Sequence, residues 1–506
     1  NVALQVAGNV GQLADSLNVS IDDLRKGSLT STQVAALAVA TAPGDVRTNK
    51  NANGDIVSLT VNRTLPFYVN ATGQFDLTAG GSAFLQSQPD MQVGTISVSG
   101  DARLASAGSI LAAMGGGNFQ IGRNLTLQAN SGSLGTAGTT PVALNLNVGG
   151  TLLAASAGQD VAINWLNGDF AVGQVIAKGD VYLNAGAGSL LQQEIGVAVS
   201  GRNIKLNARD TIGRTGHALR VEQQSASAGV LSGSAGQGIW LATEKALSVG
   251  SLSAGQGLSL TSTSTSGLLS ADSLSALSGD LRLDSQSDIT LRSAQASGQA
   301  LLSSAGNVTL GERFKGSSLA YVNSQGSLTL GNAAQLEAAS LQLRSASLMV
   351  GQDARLSGTD VDLDVSGASQ FGKASRIDAS GKLTLGHGSS ANGDLTLGDQ
   401  VIFSGASIDL QSANLLVGTA AQLLASGALN ASASSLSMGS NSLMQAGGKL
   451  GLTTTGDMTL GQLVSKATGG TLFDLNVGGQ LLGNGDGATN LVANAVGDAF
   501  VRTGQG

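Results

Sequence analysis

The residues with the types and flanks for chemistry are few. Gly386-His387-Gly388 is a histidine held between glycines, and Asp362, Asp364 and Asp409 are its coil neighbours if the chain winds regularly. Cleaving a glycosidic bond needs two carboxylates at fixed separation beside one sugar. No adjacent Asp-Asp pair lies nearby, and the only Arg-x-Lys, Arg313-Phe314-Lys315, precedes the histidine, the wrong order for a hydrolytic β-helix site. The other histidine, His217, is far away in the chain. With two histidines and no cysteine, a Ser-His-Asp site or a histidine metal cluster is not supported, and thiol chemistry is excluded. We expect no enzyme, no catalytic residue, no metal and no cofactor.

Three further motifs read as bland. Gly483-Asn484-Gly485-Asp486-Gly487 has the residues of a calcium-binding turn, but one copy offers no neighbouring turn to share an ion. Gln12 to Gly27 has the length of a DNA-reading helix pair, yet Asp15, Asp22 and Asp23 would repel phosphate. Thr261-Ser262-Thr263-Ser264-Thr265-Ser266 would order water only if it recurred coil after coil, and it does not. Trp240, Tyr182 and Lys205 remain as ligand-binding candidates. The phase of Trp240 between Ile239 and Leu241 points it outward, where a ring can stack on a sugar, on the face of Tyr182 and Lys205 if the register allows. Cover by the irregular loop before it is the competing use of that ring. Trp165 falls in the inward phase and should fill a corner.

The elements that must position these residues come from a beat of roughly 20 residues, the mark of one supersecondary unit stacked many times. Gly179-Asp180-Val181-Tyr182-Leu183, Gly279-Asp280-Leu281-Arg282-Leu283, Gly306-Asn307-Val308-Thr309-Leu310 and Gly381-Lys382-Leu383-Thr384-Leu385 are four of its anchors. Val161, Val181 and Ile204 are expected to stack, as are Leu258, Leu281 and Leu301, then Val308 and Leu328, then Leu341, Val361 and Leu383. A second phase, Ile289 to Val308, puts more than one strand in each coil. The fold expected is all-β, a parallel β-helix (β-solenoid) of ~20-residue coils. About 20 coils at ~4.8 Å each would make a rod of roughly 95–100 Å. Period-two alternation puts Val181 and Leu183 inside. It puts Tyr182, Lys205, Trp240, Ser259, Arg282, Thr309, Thr329 and Thr384 outside.

Composition agrees. There are 73 glycines, aromatics are 3% and charged residues 12%, so the core must be thin and built of Ala, Leu and Val. All four prolines (Pro43, Pro66, Pro89, Pro141) lie in the first 141 residues, leaving the rest free for uninterrupted ladders. The net charge of −7 argues against nucleic acid as a partner. No apolar run is long enough for a membrane span. Absence of cysteine fits passage through an oxidising periplasm.

Residues 1–8 read as one strand of a β-helix coil. Residues 9–53 read as a small helical insert and linker: helical spacing over Gln12–Leu17, a helix over Ile21–Lys26 capped by Ser20 and stopped by Gly27, and a third from Ser31 through Val34, Leu37 and Ala38. Residues 54–506 read as continuous shaft, opening with Asp55–Val61 and Leu65–Val69, with an irregular excursion between Ile212 and Ile239. The last residues show no closing element, so the segment is expected to belong to a longer protein and to associate end to end when isolated.

Three stretches carry a resemblance. Gly201-Arg202-Asn203-Ile204-Lys205-Leu206-Asn207-Ala208-Arg209-Asp210-Thr211-Ile212-Gly213 followed by Ala218-Leu219-Arg220-Val221, then Leu65-Pro66-Phe67-Tyr68-Val69-Asn70-Ala71-Thr72-Gly73, and Leu13 to Leu24 resemble phrases of the filamentous-haemagglutinin-like giant adhesins, closest to the leukotoxin-type group. The resemblance covers nearly the whole chain. It implies a right-handed β-helix shaft exported by two-partner secretion, hence an outer-membrane transporter partner and a place on the surface of, or secreted by, a Gram-negative bacterium. It also implies a role in adhesion, aggregation or biofilm matrix, with surface glycans or exopolysaccharide, other cells and other copies of the chain as partners. The alternative is a carbohydrate-binding or polysaccharide-degrading β-helix.

Overall fold

Val181-Tyr182-Leu183-Asn184-Ala185 shows how a coil is made. Val181, Leu183 and Ala185 are buried, while Tyr182 and Asn184 point outward and are half-buried. The strand's N–H and C=O groups turn to neighbouring coils, in the parallel registers Val161↔Val181 and Val181↔Ile204. In a computed structural model the chain repeats this unit as a parallel β-solenoid of about 19 turns. The structure describes residues 1–31, 33–34, 37, 46–51, 54–193, 196–224, 229–386, 393–487, 490–493 and 496–504, with backbone alone over 12–16 and 62–65. It falls into two units, Asn1–Ser248 and Val249–Gly506.

The first unit begins with β1 (Val2–Val6), which pairs in parallel with Gln74–Ala79. The chain then leaves the solenoid. β2 (Gln12–Ser20) leads into α1 (Ile21–Lys26), followed by β3 (Val46–Lys50) and β4 (Ile56–Leu65). β2, β4 and β3 form a small antiparallel sheet in that order. This corrects two expectations. Gln12–Leu17 is strand and not helix, and Ile56–Val61 belongs to the insert and not to the shaft, which resumes at β5 (Phe67–Val69). Leucines at 13 and 17 suit either period. The contest is decided by β4, whose Val61 and Leu59 pair with Leu17 and Val19 respectively across the ladder. α1 is where it was expected: Ser20 Oγ accepts from the Asp22 N–H at 3.1 Å, and Gly27 takes φ 66° at the stop. The next helical turn starts one residue earlier than read. Thr30 and Gln33 form a reciprocal capping box, with Gln33 N–H to Thr30 Oγ1 at 3.2 Å and Thr30 N–H to Gln33 Oε1 at 2.9 Å. Ala38 lies outside the described residues.

The described residues between Ile212 and Ile239 are more regular than expected. Ile212 bridges Leu190 and Ile239, and Leu219–Gln223 and Leu231–Ala235 take ordinary places in the two ladders. Trp165 is buried, stacks on Phe170 at 4.4 Å, and donates its Nε1–H to the Asn167 carbonyl at 2.8 Å.

In the second unit Leu258 pairs with Leu281, Val308 with Leu328, Leu341 with Val361 and Val361 with Leu383, as read. Leu281 pairs with Ala300 and not Leu301, so Leu301 faces outward. After Val308–Gly316 the long strand of each coil breaks into two around a left-handed residue. Ala333, Asp353, Ala374, Gln400, Ala420 and Asn441 occupy this corner with φ between 56° and 61°. The corners are themselves paired along the stack, for example the Ala333 N–H to the Gln352 carbonyl at 2.7 Å.

Side chains add to the backbone in holding the register. At the turn into many strands an Asp or Asn accepts a hydrogen bond from a backbone N–H of the next coil. Asp160 Oδ1 takes Asp180 N–H at 2.8 Å, Asp280 takes Gln299 at 2.8 Å, Asp288 takes Asn307 at 2.8 Å and Asn307 takes Ser327 at 2.9 Å. On the outer face of the first unit Asn118, Asn145, Asn164 and Asn184 stand in register, each amide donating to the residue before at 3.1–3.4 Å.

Candidate functional site

Tyr182 and Lys205 are neighbours in register, and the Lys205 ammonium lies 5.9 Å from the Tyr182 ring centroid. Trp240 does not join them. Its strand, Ile239–Thr243, belongs to the other sheet. Its ring lies over Gly238, where a Cβ would collide with it, and is half-buried there. The three candidates therefore split into a cation–π pair on one sheet and a ring packed on its own turn on the other.

The aspartates read beside the Gly-His-Gly do stack. Asp362, Thr384 and Asp409 occupy successive coils of one outward row. Thr384 separates the two carboxylates, and Asp409 and Asp364 are engaged by other side chains, whereas Asp362 Oδ1 is buried without a hydrogen-bond partner. Asp409 holds Lys382 at 2.9 Å and accepts from Asn430 at 2.9 Å, and Asp364 faces Arg344 at 3.6 Å. The hydrogen bond from Asn430, against the opposing pull of burial and helped by Lys382, keeps the Asp409 carboxyl below its usual range. His387 lies outside the described residues. His217 sits in a tight turn, exchanging backbone hydrogen bonds with Arg214. In the glycine-rich turn near the C-terminal end, Asp486 accepts from the Asn441 N–H at 3.1 Å and from Asn484 Nδ2 at 3.0 Å, so it braces a turn. Among the described residues no three acids or histidines stand where they could hold a metal ion.

A concavity lies elsewhere, in the second unit. Lys315, Glu337, Ser357, Asp378 and Ser404 form one outward row over five coils. Arg313, Gln335, Arg355 and Arg376 form the row beside it. Small residues at the coil corner, Gly316, Ala338, Gly358 and Ala379, let the surface fall away behind them. A Cβ on Gly358 would come within 2.6 Å of the Ala338 carbonyl oxygen, so this corner cannot be filled from that position. The result is a groove of about 630 Å³ whose far wall carries Ser317, Thr359 and Ser380.

The groove itself is lined by Lys315, Glu337 and Asp378, and the row beside it brings Arg313, Arg355 and Arg376 to the two acids. Glu337 meets Lys315 at 2.8 Å and Arg313 at 3.7 Å, and Asp378 takes Arg376 at 2.5 Å and Arg355 at 2.8 Å. Two carboxylates thus serve four cations. The Lys315 hydrogen bond, followed by the fields of Lys315, Arg313 and Arg355, holds the Glu337 carboxyl below its ordinary range against the effect of burial. Sequence reading met Arg313-Phe314-Lys315 only as a misplaced catalytic signature. Its alternation was the usable signal: Phe314 is buried, which forces both cations outward. No family model matches the chain, and neither curated proteins nor solved structures gave a match.

Proposed function

We propose that this chain is a shaft segment of a surface-exposed or secreted bacterial filamentous adhesin, of the filamentous-haemagglutinin-like kind, exported through an outer-membrane transporter and acting in adhesion, aggregation or biofilm matrix. The observation that carries the reading is the density of coil-to-coil bonding. Backbone ladders, Asp and Asn clamps and the asparagine row all link coil to coil. Such a ladder shares a load among several bonds acting in parallel at each coil-to-coil junction, which suits a spacer better than a catalyst. Most outward carboxylates near the Gly-His-Gly are tied to cations, so we read no hydrolase there.

Antibody raised against this chain should stain intact, unpermeabilised cells, and deletion of its coding region should reduce aggregation and surface attachment. Staining that appears only after lysis would defeat the reading. Incubation of the chain with pectin or alginate should release no reducing ends.

A further inference from the structure

We propose that the groove over Lys315, Glu337, Ser357, Asp378 and Ser404 binds an acidic polysaccharide, with uronate carboxylates seated on the Arg313/Lys315 and Arg355/Arg376 pairs. The inference goes beyond the shaft reading and does not depend on it. Its first support is charge. A chain with net charge −7 gathers four cations against two acids within a few coils, with Lys315 in the groove and the three arginines in the row beside it. A surface patch biased to one sign attracts ligands of the other. The arginine side chains are 45–59% accessible, Glu337 is half exposed and Asp378 is mostly covered. Each arginine meets its acid through one nitrogen, at Arg313 Nη2, Arg355 Nη2 and Arg376 Nε, so a carboxylate arriving from solvent can use the other N–H donors of an accessible guanidinium.

Spacing is the second support. Arg355 and Arg376 sit on adjacent coils, and the Arg313/Lys315 pair lies two coils before Arg355. At ~4.8 Å per coil the two cationic centres are roughly 10–15 Å apart along the groove, the reach of a short run of sugars. Between them lie Ser357 and the Glu337 carboxylate, and Ser317, Thr359, Ser380 and Ser404 line the rest. These groups suit sugar hydroxyls, since the acids accept and the serines both donate and accept.

Rival polymers fit less well. Nucleic acid carries charge far more densely than two surplus cations can match, and non-specific single-strand binding uses aromatic stacking platforms. No aromatic lines this groove. A peptide partner would want an apolar anchor pocket, and the lining offers only alanines and glycines as apolar groups.

The test is calorimetric titration of the full chain at low salt with an oligogalacturonate, against a neutral galactose oligomer of equal length and a short duplex DNA. Binding of the oligogalacturonate alone is expected. Arg355→Gln combined with Arg376→Gln should weaken it by at least about tenfold. Glu337→Gln should tighten it, by releasing Lys315 and Arg313. Lys449→Gln, on the other sheet, should change nothing. The proposal is overturned if the wild-type chain binds neither sugar, if the neutral oligomer binds equally well, if DNA binds more tightly through the same arginines, or if the double variant keeps full affinity while retaining its circular dichroism.

Discussion

The carboxylate of Asp288 reaches past its own strand to the backbone N–H of Asn307, one coil on, and Asn307 repeats the act toward Ser327. Position 288 carries an acid and position 307 an amide, yet the accepting oxygen is placed alike. The geometry therefore asks for a carbonyl-type oxygen on a short stem, and charge is secondary. Asp288→Ala should cost about 1–2 kcal/mol, the worth of a hydrogen bond plus an orphaned donor, whereas Asp288→Asn should be close to neutral. Urea denaturation of both variants decides this; equal losses would show that the charge is what matters. The left-handed corners make the opposite case, because there the present residue is the poorer choice. Ala374 sits at φ 59°, where a Cβ costs about 1–2 kcal/mol and glycine loses some of that gain to its freer unfolded chain. Ala374→Gly should stabilise by about 0.5–1 kcal/mol, read as a higher urea midpoint.

Single coils are the element of this protein, and their stacking was largely legible. Val161, Val181 and Ile204 pair as their spacing implied, since a glycine followed by Asp or Asn announces each turn and alternation fixes which side chains point inward. The reading slipped by one residue at Leu301, where the larger side chain drew the register away from Ala300 although the Asp280 clamp on Gln299 sets it. It failed in the insert, because the partner that makes Gln12–Ser20 a strand lies far along the chain and outside any local window. The groove was illegible for a similar reason. Arg313, Arg355 and Arg376 meet only through stacking, and nothing near any of them in sequence names the others. If coils are the units, removing a whole one should be tolerated. Deleting residues 340–359 moves Asp360–Val365 into the place of Ser340–Ser345, its register partner. That variant should keep its β circular dichroism and a cooperative melt. Deleting residues 340–349, half a coil, should abolish both by turning the next strand's apolar face outward.

At the scale of the whole molecule, stability should depend on acid in one direction. Opposing its burial, hydrogen bonds from Arg202 and Asn203 draw the Asp180 carboxyl below its usual range, Lys315 does so for Glu337, Asn430 for Asp409, and Lys449 with Arg502 for Asp474. Carboxyls depressed in the folded state stabilise it fully above their unfolded values, near 4, and lose that contribution as pH falls through the folded ones. The melting temperature should be flat from neutrality to about pH 5 and drop below about pH 4. A drop that begins near pH 6.5 would point to histidine instead. Each coil, finally, asks of its neighbours only matching rows of donors, acceptors and small apolar groups, and it offers the same in return. A duplication of one coil's codons is then a conservative event, adding height without demanding new chemistry elsewhere. Length of the stack becomes a trait that such duplications can adjust one step at a time, and a groove once formed can be copied along with it.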